Sequence, residues 1–117
     1  MWRVRDRKTF EAFRHRGRRS RSGPIRITYL PPREPDEACQ PPRVAYAVGR
    51  RVGRAVARNR LRRRLRAVIA ELARDRSTLL ASGAYLIGVD PAAAALSHEE
   101  LKSNVRAALE RVAEGRG

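Results

Sequence analysis

At 117 residues the chain is long enough for one domain with one modest core and too short for two. It carries 27 Lys plus Arg against 12 Asp plus Glu, a formal charge of +15, with a sequence pI near 11.7, so a polyanionic partner is expected. A single Cys39 excludes an internal disulfide and a cysteine zinc site. No apolar run approaches the roughly 20 residues of a membrane span. The opening MWRVRDRKTF lacks the apolar stretch of a signal peptide, and the expectation is a soluble, cytoplasmic protein.

In chain order, residues 1–6 read as a basic tail. Lys8 to His15 reads as a short helix, with Thr9 as cap, Phe10 and Phe13 three apart, and Gly17 as its end. Ile25 to Leu30 alternates, with Ile25, Ile27 and Tyr29 on one side and Arg26 and Thr28 on the other, which predicts a strand with one buried face. Residues 31–42 hold five of the seven prolines together with Glu34, Asp36 and Glu37, and read as an exposed loop at the tip of a long hairpin.

Val44 to Val48 is apolar on both faces and predicts a central strand; Gly49 to Val52 reads as a turn or a very short third strand. A helix follows from about Ala55 to Arg74, with Leu61, Leu65, Val68 and Leu72 along one stripe. Ala84 to Val89 is a last strand, closed by Asp90 and Pro91. Ser97 with Glu100 forms a capping box for a final helix whose stripe is Leu101, Val105, Ala108, Leu109 and Val112, with Gly115 as its stop. The order α-β-β-(β)-α-β-α predicts a small α+β layer fold over 1–117.

The charge is concentrated. Residues 1–66 carry 21 basic against 5 acidic side chains, while residues 67–117 carry 6 against 7. Nine of the 17 residues from Arg50 to Arg66 are arginine, with no acidic residue between Arg43 and Arg66 to balance them. At about 100° per residue, Asn59, Arg62, Arg63 and Arg66 fall roughly opposite the Leu61 stripe, with Arg60 and Arg64 beside them. Arg50, Arg51 and Arg54 precede the helix and extend the patch. Guanidinium groups make bidentate phosphate contacts and stack on bases, so this face predicts nucleic-acid binding.

Phe10 and Phe13 have two readings. An aromatic pair at helical spacing packs in a core, yet these two sit among Arg14, Arg16, Arg18, Arg19 and Arg21, where an exposed ring would stack on an unpaired base. Arg26 and Thr28 would line the same groove. No protein active site is legible: His15 and His98 are isolated, the carboxylates form no metal-ligand pattern, and there is no phosphate-binding loop, CxxC pair or nucleophile elbow.

The stretch VAYAVGRRVGRAVARNRLRRRLR resembles the signature of the bacterial ribonuclease P protein subunit. There a strand leads to a basic pair, a glycine, and an Arg-Asn-Arg core followed by further basic positions. Here these are Arg50 and Arg51, Gly53, then Arg58, Asn59 and Arg60, then Arg62, Arg63 and Arg66. The resemblance extends outward through TFEAFRHRG, the late strand AYLIGV and the terminal helix opening LSHEEL.

The resemblance implies an α-β sandwich with a four-stranded sheet and a left-handed βαβ crossover around the arginine helix, a hand that general rules would not predict. It implies an accessory subunit of an endoribonuclease, in which a catalytic RNA with its magnesium ions removes the 5′ leader of precursor tRNA and the protein supplies no catalytic residue and binds no cofactor itself. The Arg-Asn-Arg region would bind the catalytic RNA, and a cleft between the first helix and the sheet would hold the single-stranded leader through Phe10, Phe13, Arg14, Arg26 and Thr28. Thr28 stands where some members have an aromatic, and Gly49 replaces a small hydroxyl residue often seen before the basic pair. A structural RNA-binding protein is the main rival from the residues alone. A self-contained nuclease conflicts with the scattered acids and histidines, and a double-stranded DNA binder with the absence of a helix-turn-helix pair. No membrane partner is expected.

Overall fold

In a computed structural model of the chain, residues 2–3, 7–32, 35–76 and 78–116 are described, with backbone alone for 2–3, 7–10, 15, 37, 115 and 116. Ala84–Val89 (β5) organises the sheet, because five of its six residues are buried and no charged side chain interrupts it. It pairs in parallel with Arg43–Ala47 (β4) and antiparallel with Ile25–Leu30 (β3). Arg18–Ser22 (β2) adds antiparallel to the outer side of β3, and Trp2–Arg3 (β1) adds two residues in parallel to β4. Among the described residues the sheet order is therefore β1-β4-β5-β3-β2, four strands of five or six residues and one of two.

The two sheet faces are covered unequally. On one, Ile25, Ile27, Tyr29, Val44, Tyr85, Ile87 and Val89 form a core with the helices Ala55–Asp75 (α3) and His98–Arg116 (α4). The contributions of α3 are Leu61, Leu65, Val68, Ile69 and Leu72; those of α4 are Leu101, Val105, Ala108, Leu109 and Val112. On the other face a smaller cluster joins Leu30, Ala45 and Ala84 to Ala12 and Phe13 of Arg7–Arg16 (α1), with half-buried Leu86 beside it. One short helix cannot cover a five-stranded sheet, so part of this face stays open.

Helix α3 crosses between the parallel, adjacent strands β4 and β5, forming the βαβ unit. The capping box of α4 is formed: Ser97 N–H donates to Glu100 Oε1 at 2.9 Å and Glu100 N–H donates to Ser97 Oγ at 3.1 Å. Hydrogen bonds from Ser97, the backbone one foremost, hold the Glu100 carboxyl below its ordinary pKa.

Several boundaries differ from the sequence reading. Residues 2–3 of the expected tail are strand, while residues 1 and 4–6 lie outside the described ones. Helix α1 begins at Arg7, so Thr9 stands inside it and is not its cap. The expected hairpin between β3 and β4 does not form, because β5 lies between them. The Pro-rich segment linking them contains a one-turn helix, Pro35–Ala38 (α2), and the Ser82 hydroxyl lies 2.8 Å from the carbonyls of both Ala38 and Gln40. Arg50–Val52 is a 3-10 turn and not a third strand. The final helix passes Gly115 to end at Arg116. Strand β2 was not expected at all: RRSRS has no apolar alternation, and its ordering comes from polar contacts with α4. Ser20 Oγ donates to the Ala108 carbonyl at 2.7 Å, Ser22 Oγ to Asn104 Oδ1 at 2.9 Å, and Arg111 Nη1 to the Arg21 carbonyl.

Leu65 is 0% exposed at the centre of the larger core. Leu65→Ala should lower unfolding free energy by about 2–5 kcal/mol, read from the midpoint of urea denaturation.

Candidate nucleic-acid interface

Two basic surfaces flank the carboxyl ends of β4 and β5. The first is the start of α3. Gly53 has φ of +146°, a backbone conformation that L side chains rarely adopt, and it lets the chain turn from the 3-10 segment into the helix. The helix opens with no side-chain cap and no acidic residue in its first turn. Its first N–H groups are thus left to solvent or an anion, with Arg50, Arg51 and Arg54 exposed around them.

Further along, Asn59, Arg60, Arg63 and Arg66 are exposed, and the Arg66 guanidinium lies 5.6 Å from the centre of the Tyr46 ring. Burial pushes the Tyr46 phenol up to about 12, against the opposing effect of Arg66, so at neutral pH it is a protonated donor. Among the described residues none of the nine arginines from Arg50 to Arg66 lies in an ion pair with a carboxylate.

Three of the nine are less free than the helical wheel suggested. Arg62 is half-buried, donating from Nη1 to Asn59 Oδ1 at 2.9 Å and from Nη2 toward the Val48 carbonyl at 3.5 Å. Arg64 donates to the carbonyls of Ala94 and Leu96, tying α3 to the 3-10 turn Pro91–Ala95. Arg58 is half-buried, and its Nε is enclosed with no hydrogen-bond partner among the described residues. The cause is geometric. Ile69 widens the buried stripe, so Arg58 lies only about 60° from Leu61 and Arg62 and Arg64 stand at its margins.

The second surface is the open part of the other sheet face, a groove of about 590 Å³ lined by Arg19, Arg21, Arg26, Thr28, Leu86 and Gly88 among others. Alternation along β2 sends Ser20 and Ser22 toward α4 and leaves Arg19 and Arg21 on the groove side. Arg19 donates to the Arg14 carbonyl at 3.1 Å, which links β2 to α1. At the far end Asp90 pairs with Arg21 and lies 3.6 Å from Arg26. Gly17 fixes the near wall: a Cβ there would stand 2.2 Å from Thr28 Cγ2 and 2.7 Å from the Phe13 carbonyl, so only glycine lets α1 approach β3 this closely.

Of the expected groove residues, Arg14 and Arg26 are exposed and Thr28 is half-buried on the correct face. Phe13 is a correction. It is 2% exposed and packs under α1 with Ala12, Leu30, Ala45 and Ala84, so its ring is not offered for stacking. The Phe10 side chain lies outside the described ones. Arg19 and Arg21 were missed as lining residues because β2 was missed; the Arg-Ser alternation of RRSRS was the available signal. His98, read as isolated, has its Nε2 2.6 Å from Glu71 Oε2 and bridges α4 to α3. Among the described residues no three His, Cys, Asp or Glu side chains could hold a metal ion, and no helix is long and apolar enough to cross a membrane.

The Ribonuclease P family model matches residues 1–113. The fold is similar to the Staphylococcus aureus RNase P protein, with a TM-score of 0.76 at 14% identity over 94% of each chain. It is similar to the RNase P protein from Thermotoga maritima, with a TM-score of 0.74 at 16% identity over 95% of this chain and 97% of that one. A Staphylococcus aureus RNase P protein mutant described as defective in mRNA degradation gives 0.77 at 16% identity, covering 93% of this chain and 86% of that one. Among curated proteins none matches this sequence.

With its ring buried, Phe13→Ala should destabilise the fold by about 3–5 kcal/mol, seen as a lower denaturation midpoint. A variant with unchanged stability and weaker binding of single-stranded RNA would restore the stacking role.

Proposed function

The chain belongs to the ribonuclease P protein family, and on that footing we propose that it binds the catalytic RNA through α3 and the 5′ leader of precursor tRNA through the groove beside α1. The observation that carries this reading is the carboxylate-free arginine surface running from Arg50 to Arg66. A solvated surface of nine cations would be stabilised by interspersed acids; one without them repels itself until a polyanion arrives.

The protein's contribution is electrostatic and geometric. Arg50, Arg51, Arg54, Arg60, Arg63 and Arg66 stand free to meet phosphates and release the RNA's counterions. Arg58, Asn59 and Arg62 act nearer the protein surface, where Asn59 orients the Arg62 fork. In the groove, Arg19, Arg21 and Arg26 track a single strand's backbone over a floor that includes Leu86, and exposed Arg14, whose carbonyl accepts from Arg19, extends that track. Thr28 adds a hydroxyl to that floor. Holding the leader fixes the scissile bond relative to the RNA.

The resemblance implies magnesium ions held by the RNA and none held by this protein. Its interface is built of guanidiniums, and the described residues offer no cluster of oxygen ligands. We assign the metal and the hydrolytic chemistry to the RNA and, from family membership, the assembled particle to the cytoplasm.

Mixing the protein with a bacterial ribonuclease P RNA should restore 5′ leader removal at low magnesium, whereas the protein free of RNA should cleave nothing. Cleavage by RNA-free protein would sink the reading. Arg60→Ala and Arg63→Ala should each weaken RNA binding at low salt and flatten the plot of log affinity against log salt by about one unit, with Arg74→Ala as the control outside the patch.

A further inference from the structure

The two basic surfaces are joined. A second cavity of about 450 Å³ opens at the carboxyl ends of the parallel strands β4 and β5, lined among others by Arg26, Tyr46, Arg51, Arg62 and Asp90. Arg26 also lines the groove, as does Ala47, so the groove runs directly into this cavity. Its volume lies in the range of roughly 300–1,000 Å³ typical of small-ligand pockets, and the ends of adjacent parallel strands are where open sheets commonly bind ligands.

The lining is mixed in sign in an informative way. Arg51 is exposed with no carboxylate partner among the described residues, and Arg62 is already oriented by Asn59 Oδ1 and the Val48 carbonyl. Both suit a phosphate. Tyr46 has no hydrogen-bond partner for its hydroxyl among the described residues. Asp90 is the odd member. It caps nothing with its side chain, keeps 35% of it exposed, and sits where three arginines would otherwise offer only donors. A carboxylate repels phosphate but accepts a hydrogen bond from a hydroxyl. Inside a strand, where the 3′- and 5′-oxygens are esterified, a nucleotide presents both a phosphate and a sugar hydroxyl only when its sugar is ribose.

We propose that this cavity seats one ribonucleotide of the leader as it leaves the groove, with its phosphate on Arg51 and Arg62 and its 2′-hydroxyl on Asp90. This rests on the leader-binding reading above. Arg21 and Arg26, paired with Asp90, hold the carboxylate in position while contributing to the groove's own phosphate contacts.

The test uses the reconstituted protein–RNA particle under non-cleaving conditions. It compares binding of precursor tRNA with an all-ribose leader to a set carrying 2′-deoxyribose at one leader position at a time. Catalytic RNA without protein sets the baseline. One deoxy position should weaken binding about tenfold, the effect of leaving a charged acceptor unmet, and only when protein is present. In Asp90→Ala the ribose and deoxyribose forms at that position should bind within twofold of each other. No sensitive position, equal sensitivity without protein, or a preference that survives Asp90→Ala would each overturn the assignment. The wild-type comparison decides even if the variant fails to fold. Mature tRNA is the remaining arm. If protein no longer favours precursor over mature tRNA, the leader reading itself has failed; if it does while every deoxy position is silent, only the ribose seat has.

Discussion

Five apolar side chains of α3, packed against the sheet, decide where its arginines point. Leu61, Leu65, Val68, Ile69 and Leu72 occupy one side of the rod, and the cations within its length other than Arg58 fall on the remaining arc. The arrangement works against itself electrostatically, since like charges at helical spacing repel and no acid is interleaved before Glu71. The opposing force is burial beneath α3, assisted by two contacts at the stripe's margins. Arg64 is fastened to the turn before α4, and Arg62 to Asn59 and the end of β4. These two arginines give up mobility, and in exchange the helix is held at both flanks while its outer surface stays uncommitted.

The same economy shapes the opposite face. A sheet of this size leaves more area than α1 can cover, and the uncovered part becomes a channel floored by small residues and edged by cations. Gly17 sets how far α1 covers that face, by allowing near contact between α1 and Thr28. Arginines of β2 line one side of that channel, and Asp90, paired with Arg21, stands where it meets the second cavity.

Apolar periodicity made most of the architecture legible. The stripes of α3 and α4, the strands β3 and β5, and the Ser97–Glu100 cap all stand close to where spacing put them. What escaped was held together by other means. RRSRS carries no hydrophobic signal, since its edge position demands only that two serines meet α4 and two arginines meet the groove. The β3–β4 hairpin was inferred from chain proximity, and β5 intervened because a strand buried on both faces takes the interior of a sheet. On the interface, position around the helix identified Arg60, Arg63 and Arg66 as outward but treated Arg62 as equally so. Its partners, a neighbouring amide and a distant carbonyl, cannot be read from angle alone. Phe13 shows the converse, an aromatic among arginines whose partners across the fold claim it for the interior.

The sheet's borders carry a consequence of their own. One margin is a strand of two residues and the other is β2, whose five residues include three arginines. Short or charged margins deter a second molecule from adding its strand. That protection is electrostatic at β2, and therefore conditional. Short nucleic-acid fragments that neutralise β2 without wrapping the protein would expose a pairing-competent margin, so turbidity should peak near charge equivalence and clear again when full-length RNA is in excess.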